Sequence, residues 1–239
     1  MTAGSPSIAF RLRSAATDVL RGEVVGYSIR LNPDRAMRGL RAGRVPAPRR
    51  LLPVGVLWFM PRPRGILHPN RVHIQKNVRR RMRNNGWESS LDESFDAVLA
   101  GCANRQRTWL GESLQALYRA LHERGVAHSV EIWDDDGALI GGLFGVRCGG
   151  VFQVISMFHA NGDESKVALA DCAERMDAAG AAVIDLHWFT PHLGSMGAEQ
   201  LPAPAFLDLL AARRDDDITL DPRRRPVTEI LTWAEGHPG

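Results

Sequence analysis

Three short segments separated by tight turns between residues 127 and 158 constrain the fold most strongly. AHSVEIW (127–133) alternates apolar and polar residues, and ALIGGLFGV (138–146) and VFQVISMF (151–158) follow after the turns DDDG and CGG. Strands joined by turns this short pair with their neighbours in sequence. The sequence therefore predicts an antiparallel β-meander in the second half of the chain.

Helix signals lie on both sides of the meander. Asn32 and Pro33 are typical of a helix start, and Leu114, Leu117 and Leu121 recur at the spacing of an amphipathic helix. The predicted helices are 32–43, 73–86, 92–102 with Asp92 as N-cap, 111–125, 165–180 and 204–213, and the other predicted strands are 54–59, 64–69, 181–189 and 227–233. This mixture predicts an α+β fold, with a small N-terminal α/β domain over 1–69 and a larger domain over 70–239.

The segments between these elements are expected to be exposed and polar. RVPAPRR (44–50) reads as a Pro/Arg connector, and the charge runs at 215–217 and 223–225 read as linkers. No stretch approaches the roughly 20 apolar residues of a membrane span, and the N-terminus lacks the apolar region of a signal peptide. Three scattered cysteines are typical of a reduced, cytoplasmic protein without a structural zinc.

Charge is distributed unevenly along the chain. Residues 1–107 contain 20 Lys and Arg against 7 Asp and Glu, whereas residues 108–239 contain 10 against 20, although the net charge is only +3. A basic half rich in arginine favours a polyanionic partner, most simply a nucleic acid. The alternative is that the two halves of the chain neutralise each other.

The densest positive charge lies in HIQKNVRRRMRNNG (73–86), which is predicted to be a short helix. Like charges within one or two helical turns repel one another. A bound anion would relieve that repulsion, and the alternative is a solvated helix face. The basic residues concerned are Lys76, Arg79, Arg80, Arg81 and Arg83.

Asp185 and His187 stand inside the apolar run AAVIDLHWF (181–189). Residues two apart in a strand project on the same face, so the carboxylate and the imidazole are predicted to lie side by side. Three interpretations compete: a metal site, a catalytic pair, and a polar strand face. The D-x-H spacing supplies no third ligand, and His192, which follows a proline, is assigned to a helix or loop.

An ordered set of motifs resembles the leucyl/phenylalanyl-tRNA–protein transferase family over roughly residues 30–214. Any one motif is weak, and it is their order along the chain that is specific. The motifs are VLWFMPRPRGIL (56–67), TWL (108–110), LHERGVAHSVEIW (121–133), GGLFGV (141–146), SMF (156–158), SKVAL (165–169), ID (184–185) and PHLGSMGA (191–198).

The resemblance implies an activity. Members of that family transfer leucine or phenylalanine from charged tRNA to the free α-amine of a protein beginning with Arg or Lys, which marks it for degradation. The resemblance implies no cofactor and no metal, an aminoacyl-tRNA donor and an acceptor peptide N-terminus as partners, and an N-acetyltransferase-like (GNAT-type) larger domain. Aminolysis of the tRNA ester needs an aimed amine, a group that handles its proton, and donors for the developing oxyanion.

The resemblance also implies roles for individual residues. Asp185 matches a family aspartate that assists amine attack, and His187 stands where the family has glutamine. Met157, Leu169 and Ile184 match the wall of the amino-acid pocket, although plain core positions would look the same. Trp109 and Tyr118 match aromatics near the ends of the substrates and could stack the terminal adenosine of the tRNA. The positions matched to the substrate side are Trp58, Ile155 and Ser156. The basic helix would hold tRNA phosphates.

Departures from the family pattern fall on the acceptor side. Ile155 replaces a glutamate, GRVPAPR (43–49) lacks the family aromatics, and Phe59-Met60 follow Trp58 where the family has Trp-Ser. The sequence therefore leaves open a different peptide or small-amine acceptor, and a tRNA-binding paralogue without activity. An acetyl-CoA N-acetyltransferase is disfavoured because FHANGDESK (158–166), with one glycine and two acids, is a poor pyrophosphate loop.

Overall fold

The computed structural model describes residues 22–48, 55–104 and 108–237. Their strands form two sheets, one of three strands and one of eight. The first 21 residues of the predicted N-terminal domain, and part of its connector, lie outside the described residues.

The smaller sheet is antiparallel and contains β1 (Gly22–Ser28), β2 (Val45–Pro48) and β3 (Val56–Pro61) in the order β1-β3-β2. The prediction of an irregular connector at 44–50 is wrong for its first half, because Val45–Pro48 pairs with β3. Prolines are tolerated there because β2 is an edge strand, whose outer backbone groups need no ladder partner.

The larger sheet is mixed, with the order β10-β4-β9-β8-β7-β6-β5-β11. Its β6–β7–β8 core is antiparallel, which confirms the predicted meander. Only the β8–β9 pair is parallel. The strands are β4 (Arg64–Leu67), β5 (Glu88–Leu91), β6 (Ala127–Trp133), β7 (Leu139–Cys148), β8 (Val151–His159), β9 (Val183–His187), β10 (Glu199–Leu201) and β11 (Arg225–Pro226).

Helices flank this sheet and make the protein an α+β molecule. They are α1 (Pro33–Leu40), α2 (Lys76–Asn84), α3 (Phe95–Ala103), α4 (Glu112–His122), α5 (Glu164–Ala178), α6 (Pro191–Gly194), α7 (Ala203–Arg213) and α8 (Thr228–Gly236). The predicted start of α1 is confirmed, since the Asn32 side chain accepts a hydrogen bond from the Arg35 backbone N–H. None of the helices in the described part of the chain is long and apolar enough to cross a membrane.

Three local predictions are wrong. Asp92 does not cap α3, because its carboxylate accepts instead from the Ser129 backbone N–H at 2.7 Å, and α3 begins at Phe95. Residues 227–233 lie mostly in a helix rather than a strand, since Ile230, Leu231 and Ala234 share one buried face. Arg225, expected in an exposed linker, is buried.

The opening between β8 and β9 positions the candidate site. Their pairing starts at Val151 with Val183 and ends at Gln153 with Asp185, although β8 runs on to His159 and β9 to His187. Beyond this point β8 pairs with β7 and β9 pairs with β4. The two central strands therefore separate, leaving a gap in the sheet just past Asp185.

Candidate active site

The end of β9 carries unusual backbone geometry. His187 has φ 63°, in the left-handed region that a non-glycine residue rarely occupies. The Trp188 N–H donates to the Leu186 carbonyl at 2.7 Å, so His187 is the middle residue of a three-residue turn. A Cβ on the neighbouring Gly65 would lie 2.6 Å from the Phe189 nitrogen, so glycine is required where β4 passes this turn. Strain of this kind is concentrated at functional sites.

A buried arginine holds Asp185. Arg64 Nε donates to Asp185 Oδ1 at 2.7 Å and Nη2 donates to Oδ2 at 2.5 Å, which is the two-pronged geometry that a guanidinium forms with a carboxylate. Arg64 Nη1 donates to the Gly43 carbonyl at 2.8 Å, and the guanidinium lies 4.3 Å from the centre of the Phe206 ring. Both Arg64 and Asp185 are fully buried.

This pairing decides the protonation of Asp185. Burial raises the pKa of the carboxyl group, but the charges and hydrogen bonds of Arg64 and His187, with the charge of Arg64 first among them, together outweigh burial. The net result is a pKa well below the usual range. A carboxylate held in this way accepts a proton poorly, which argues against Asp185 as the group that takes the proton from the attacking amine.

His187 lies against the same pair. Its Nδ1 is 3.3 Å from Arg64 Nη2 and 3.2 Å from Asp185 Oδ2, and its backbone N–H donates to Asp185 Oδ1 at 2.9 Å. The imidazole is 3% exposed. Its Nε2 is buried and has no hydrogen-bond partner among the described residues. An unsatisfied buried polar atom is costly, and at a strand opening it indicates a place for a ligand atom.

The sequence-predicted residues are divided between the two faces of the sheet. Met157, Leu169 and Ile184, matched to the amino-acid pocket, pack in one apolar cluster beside α5. Asp185 and His187 point to the other face, where Val183 and Phe206 form a second cluster. The predicted common face of Asp185 and His187 is confirmed by their contacts with each other and with Arg64.

Ile155 lies at a β-bulge on the strand opposite Asp185. Phe144 pairs with Ser156 and Gly145 with Val154, so Ile155 is the extra residue of β8. Its side chain is 9% exposed and belongs to the second apolar cluster, together with Trp58. Trp58 is buried and donates from Nε1 to Ser28 Oγ at 2.9 Å. An apolar wall thus occupies the positions matched to the acceptor side.

The two other predicted aromatics differ in accessibility. Trp109 is partly buried and packs against the second cluster. Tyr118 is 1% exposed, its ring contacts Phe144 edge-on with centroids 5.1 Å apart, and its hydroxyl has no partner within the described part of the chain. Stacking of adenosine on Tyr118 stays a prediction that requires this buried ring to become accessible.

The basic helix α2 is only partly neutralised within the protein. Arg81 pairs with Asp163 and Glu164 at the start of α5, and Arg83 pairs with Glu235. Lys76 and Arg80 are exposed and form no ion pair with a described carboxylate. Arg79 donates to the Ile74 carbonyl. Some of these charges are therefore met within the protein and others face solvent, and binding of an anion by this helix stays a prediction.

Sequence reasoning missed Arg64 and Gln153. Gln153 is buried, pairs in register with Asp185, and donates to the Leu40 carbonyl, while its Oε1 has no described partner. A polar residue inside an apolar strand was the signal that singled out Asp185, and the same signal was available for Gln153 in VFQVISMF. No group of three His, Cys, Asp or Glu side chains arranged for a metal ion occurs in the described ranges, and His192 is exposed on α6.

Comparison with known proteins gives a consistent answer. The family model described as leucyl/phenylalanyl-tRNA protein transferase matches residues 66–211. A leucyl/phenylalanyl-tRNA–protein transferase of Dinoroseobacter shibae is 36% identical over 211 residues, which cover 87% of this chain and 94% of the relative. Relatives of the same name from Jannaschia sp. and Chromohalobacter salexigens are each 42% identical, covering 72% and 65% of this chain and 81% and 62% of their own lengths.

Among solved structures, L-PGS from Bacillus licheniformis covers 72% of this chain and 65% of its own, with a TM-score of 0.38 and 11% identity. That likeness is too distant to support an argument about the site. The residues matched by the family model include Asp185 and His187 at the end of β9 but begin after Arg64. The chain belongs to the leucyl/phenylalanyl-tRNA–protein transferase family.

Proposed function

We propose that this protein transfers an amino acid from aminoacyl-tRNA to the free α-amine of an acceptor protein. The transferred residue would be leucine, phenylalanine or methionine, and the acceptors of the family begin with Arg or Lys. The observation that carries the proposal is the opening between β8 and β9. It places the Asp185–His187 pair on one side and the apolar residues Met157, Leu169 and Ile184 on the other. In this proposal the polar pair serves the reacting centre, and the apolar residues would line the pocket for the transferred side chain.

The reaction is aminolysis of an activated ester and balances without a cofactor. The acceptor nitrogen forms a bond to the ester carbonyl carbon, and the bond from that carbon to the ribose oxygen breaks. The ribose oxygen keeps the electron pair and takes up the proton lost by the amine. The protein has to aim the amine and stabilise the charge that develops on the carbonyl oxygen.

The fold type and the division into domains are part of the proposal. A bulged β8, an adjacent parallel β9 and a gap between them support an N-acetyltransferase-like larger domain. The proposed small N-terminal domain spans residues 1–69. Its last strand, β4 (Arg64–Leu67), hydrogen-bonds within the larger sheet. Because the donor is charged tRNA, the cytoplasm is the expected location.

The tRNA would lie along α2. Lys76 and Arg80 are its exposed cations without a described ion-pair partner, and they are the residues of this helix best placed to meet phosphate. Arg79, Arg81 and Arg83 would contribute by exchanging their present partners for phosphate oxygens. Trp109, partly buried near the second cluster, is the more accessible of the two candidate stacking residues.

A second candidate function concerns the acceptor. Ile155 sits at the bulge where a glutamate would meet an N-terminal Arg or Lys, and its apolar surroundings include Trp58. The nearby carboxylate, Asp185, is already neutralised by Arg64. These observations favour an acceptor with an uncharged side chain, or a small amine, still served by aminoacyl-tRNA.

The test is transfer of labelled leucine from leucyl-tRNA to a panel of peptides that differ only in the first residue. Transfer to any peptide supports the proposed activity, and a preference for uncharged N-termini supports the second candidate. Efficient labelling of Arg- and Lys-initiated peptides alone would exclude an altered acceptor. Absence of labelling with every peptide and amine, despite tRNA binding, would contradict the activity itself.

Asp185→Ala is the matched loss-of-function variant for this assay. It removes the carboxylate that orients Arg64 and His187. The rate of transfer should fall by roughly 100-fold or more, which is the lower end of the rate contribution of side chains that take part in proton transfer. Binding of uncharged tRNA should remain within about twofold of wild type, because α2 is untouched.

A further inference from the structure

The environment of His187 Nδ1 decides which nitrogen of this imidazole carries its proton. Two groups lie next to Nδ1: Arg64 Nη2 at 3.3 Å and Asp185 Oδ2 at 3.2 Å. Arginine can only donate and an ionised carboxylate can only accept. A protonated Nδ1 would therefore suit Asp185, whereas an unprotonated Nδ1 would suit Arg64.

Counting hydrogen-bond donors separates these two possibilities. Arg64 Nη2 carries two hydrogens, of which one goes to Asp185 Oδ2 and the other has His187 Nδ1 as its acceptor among the described residues. The carboxylate of Asp185 is already supplied with donors from Arg64 Nε, Arg64 Nη2 and the His187 backbone N–H. Asp185 thus does not need the imidazole proton, but Arg64 needs the Nδ1 lone pair.

The two tautomers differ in how many buried groups they leave unsatisfied. With the proton on Nδ1, the second Nη2–H of Arg64 and the lone pair of His187 Nε2 both lack partners. With the proton on Nε2, the Nδ1 lone pair also faces Asp185 Oδ2 at 3.2 Å, but only the Nε2–H lacks a hydrogen-bond partner among the described residues. Each buried unsatisfied polar group is costly, and a charged donor is the costlier kind.

We infer that Arg64 is a positioning residue that fixes neutral His187 as the Nε2–H tautomer, so that His187 meets the reacting ester as a hydrogen-bond donor. This inference rests on the proposed function for the identity of the ester, but not for the tautomer. The Nε2–H would donate to the carbonyl oxygen as it becomes an oxyanion. The side-chain amide N–H of a glutamine can donate the same hydrogen bond. This shared ability accounts for a histidine at a position where the family has glutamine.

The other groups facing this cluster are few and fixed. Gln153 of β8 is neutral, and burial raises the pKa of the Cys148 thiol on β7 to about 12, with Asp185 adding to the rise and Arg41 opposing it. Phe206 of α7 covers the guanidinium of Arg64. Arg64 and Asp185 are therefore the charges that control the imidazole from the packed elements.

The direct test is nitrogen-15 NMR of the full chain labelled at its histidine rings, with the His187 signals identified by their loss in His187→Gln. We expect an Nε2–H ring in the wild type above the pH at which the imidazole is protonated, and a shift towards Nδ1–H in Arg64→Met, where only Asp185 remains beside Nδ1. A wild-type ring protonated on Nδ1 would overturn the inference, and this result does not depend on whether Arg64→Met folds.

Transfer kinetics test the donor role. His187→Gln keeps a donor and should retain kcat within about tenfold, with the pH–rate profile unchanged in shape, whereas His187→Leu should lose about 100- to 1,000-fold in kcat at a similar KM for leucyl-tRNA. If His187 were instead a base, His187→Gln would lose activity as His187→Leu does. A wild type inactive with every acceptor would contradict the proposed function while leaving the NMR result standing.

Discussion

Two buried arginine–aspartate clusters lie on different parts of the large sheet, and they differ in completeness. In the first, Arg64 holds Asp185 beside the strained turn at His187. In the second, Arg175 and Arg225 both bind Asp171, with Arg175 Nε 2.6 Å from Oδ2 and Arg225 Nη2 2.9 Å from Oδ1. Each consists of fully buried or nearly buried charges that were removed from water on folding.

The second cluster is closed. Ser89 Oγ donates to Asp171, Glu174 pairs with Arg225, and Arg175 donates to the carbonyls of Asp221 and Arg223. No side-chain atom of these residues is among the buried polar atoms without a described partner. The cluster fastens the segment after α7 to α5 and β5, and its role is structural.

The first cluster is open at one atom. Every charge in it is paired, yet His187 Nε2 is left without a partner on a backbone that has been forced into the left-handed region. A buried ion pair by itself therefore does not indicate function. What distinguishes the site is an unsatisfied group held in place at the expense of backbone strain.

The largest difference between the two clusters is expected when one arginine is removed from each. Arg64→Met leaves Asp185 without any guanidinium and should lower the free energy of unfolding by about 3–5 kcal/mol, the cost of stranding a buried charge. Arg225→Met leaves Asp171 paired with Arg175 and should cost less. Urea denaturation gives both values, and transfer assays should show loss of activity for Arg64→Met alone.

The double variant Arg64→Met/Asp185→Asn is the control for this interpretation. Because it removes both charges, it should recover much of the stability lost in Arg64→Met without recovering activity. Equal instability of the single and double variants would mean that Arg64 stabilises the fold through packing, not through Asp185.

A further buried carboxylate, Glu131, differs from both because no described arginine pairs with it. Burial raises its pKa to about 7, and the Ser129 and Ser90 hydroxyls only partly oppose the rise. The folded-state pKa lies above the unfolded one near 4.5, so folding favours the protonated form of Glu131. The contribution of this protonated side chain to the free energy of unfolding is complete below pH 4.5 and is lost as pH rises through 7. The loss is about 3 kcal/mol at most.

Thermal or urea denaturation between pH 4.5 and 8 measures this effect. Glu131→Gln should give a flatter stability profile over that window, since an amide keeps the shape and cannot ionise. A wild-type profile that rises with pH between 5 and 7, and is equally steep in Glu131→Gln, would show that another group controls it.

The strained turn can be tested through its neighbour. Gly65→Ala places a methyl group 2.6 Å from the Phe189 nitrogen and should cost about 2 kcal/mol, within the usual range for overpacking. Activity should fall as well, because the turn that carries His187 must shift. Gly111→Ala, which meets nothing within 4 Å, is the matched control and should change neither property by much.

The smallest expected effects concern the polar surface of α2. Lys76→Gln and Arg80→Gln should each weaken tRNA binding by a few-fold and reduce the salt dependence of binding by about one counterion. Arg83→Gln, which removes a charge already paired with Glu235, should weaken binding less. Filter binding at several salt concentrations distinguishes the three, and equal effects would argue against a special role of the unpaired cations.

Much of the fold could be predicted because its signals are local. The turns of the meander, the cap of α1 and the periodicity of α4 each depend on a few consecutive residues. The wrong predictions arose where a tertiary contact decided. Asp92 binds a strand rather than its own helix, and the β-branched tail 227–233 is helical because one face packs against α5 and α2.

The amino-acid sequence is enough to predict the family, the antiparallel core and the placement of Asp185 and His187 on one face, because strand alternation and motif order are properties of the chain. The chemistry open to those two residues depends on contacts that form only when the chain folds. Arg64 lies 121 positions from Asp185 in the chain, and no periodicity connects them. Its guanidinium lowers the basicity of the aspartate and takes the Nδ1 lone pair of the histidine, since in a buried site every donor has to find an acceptor.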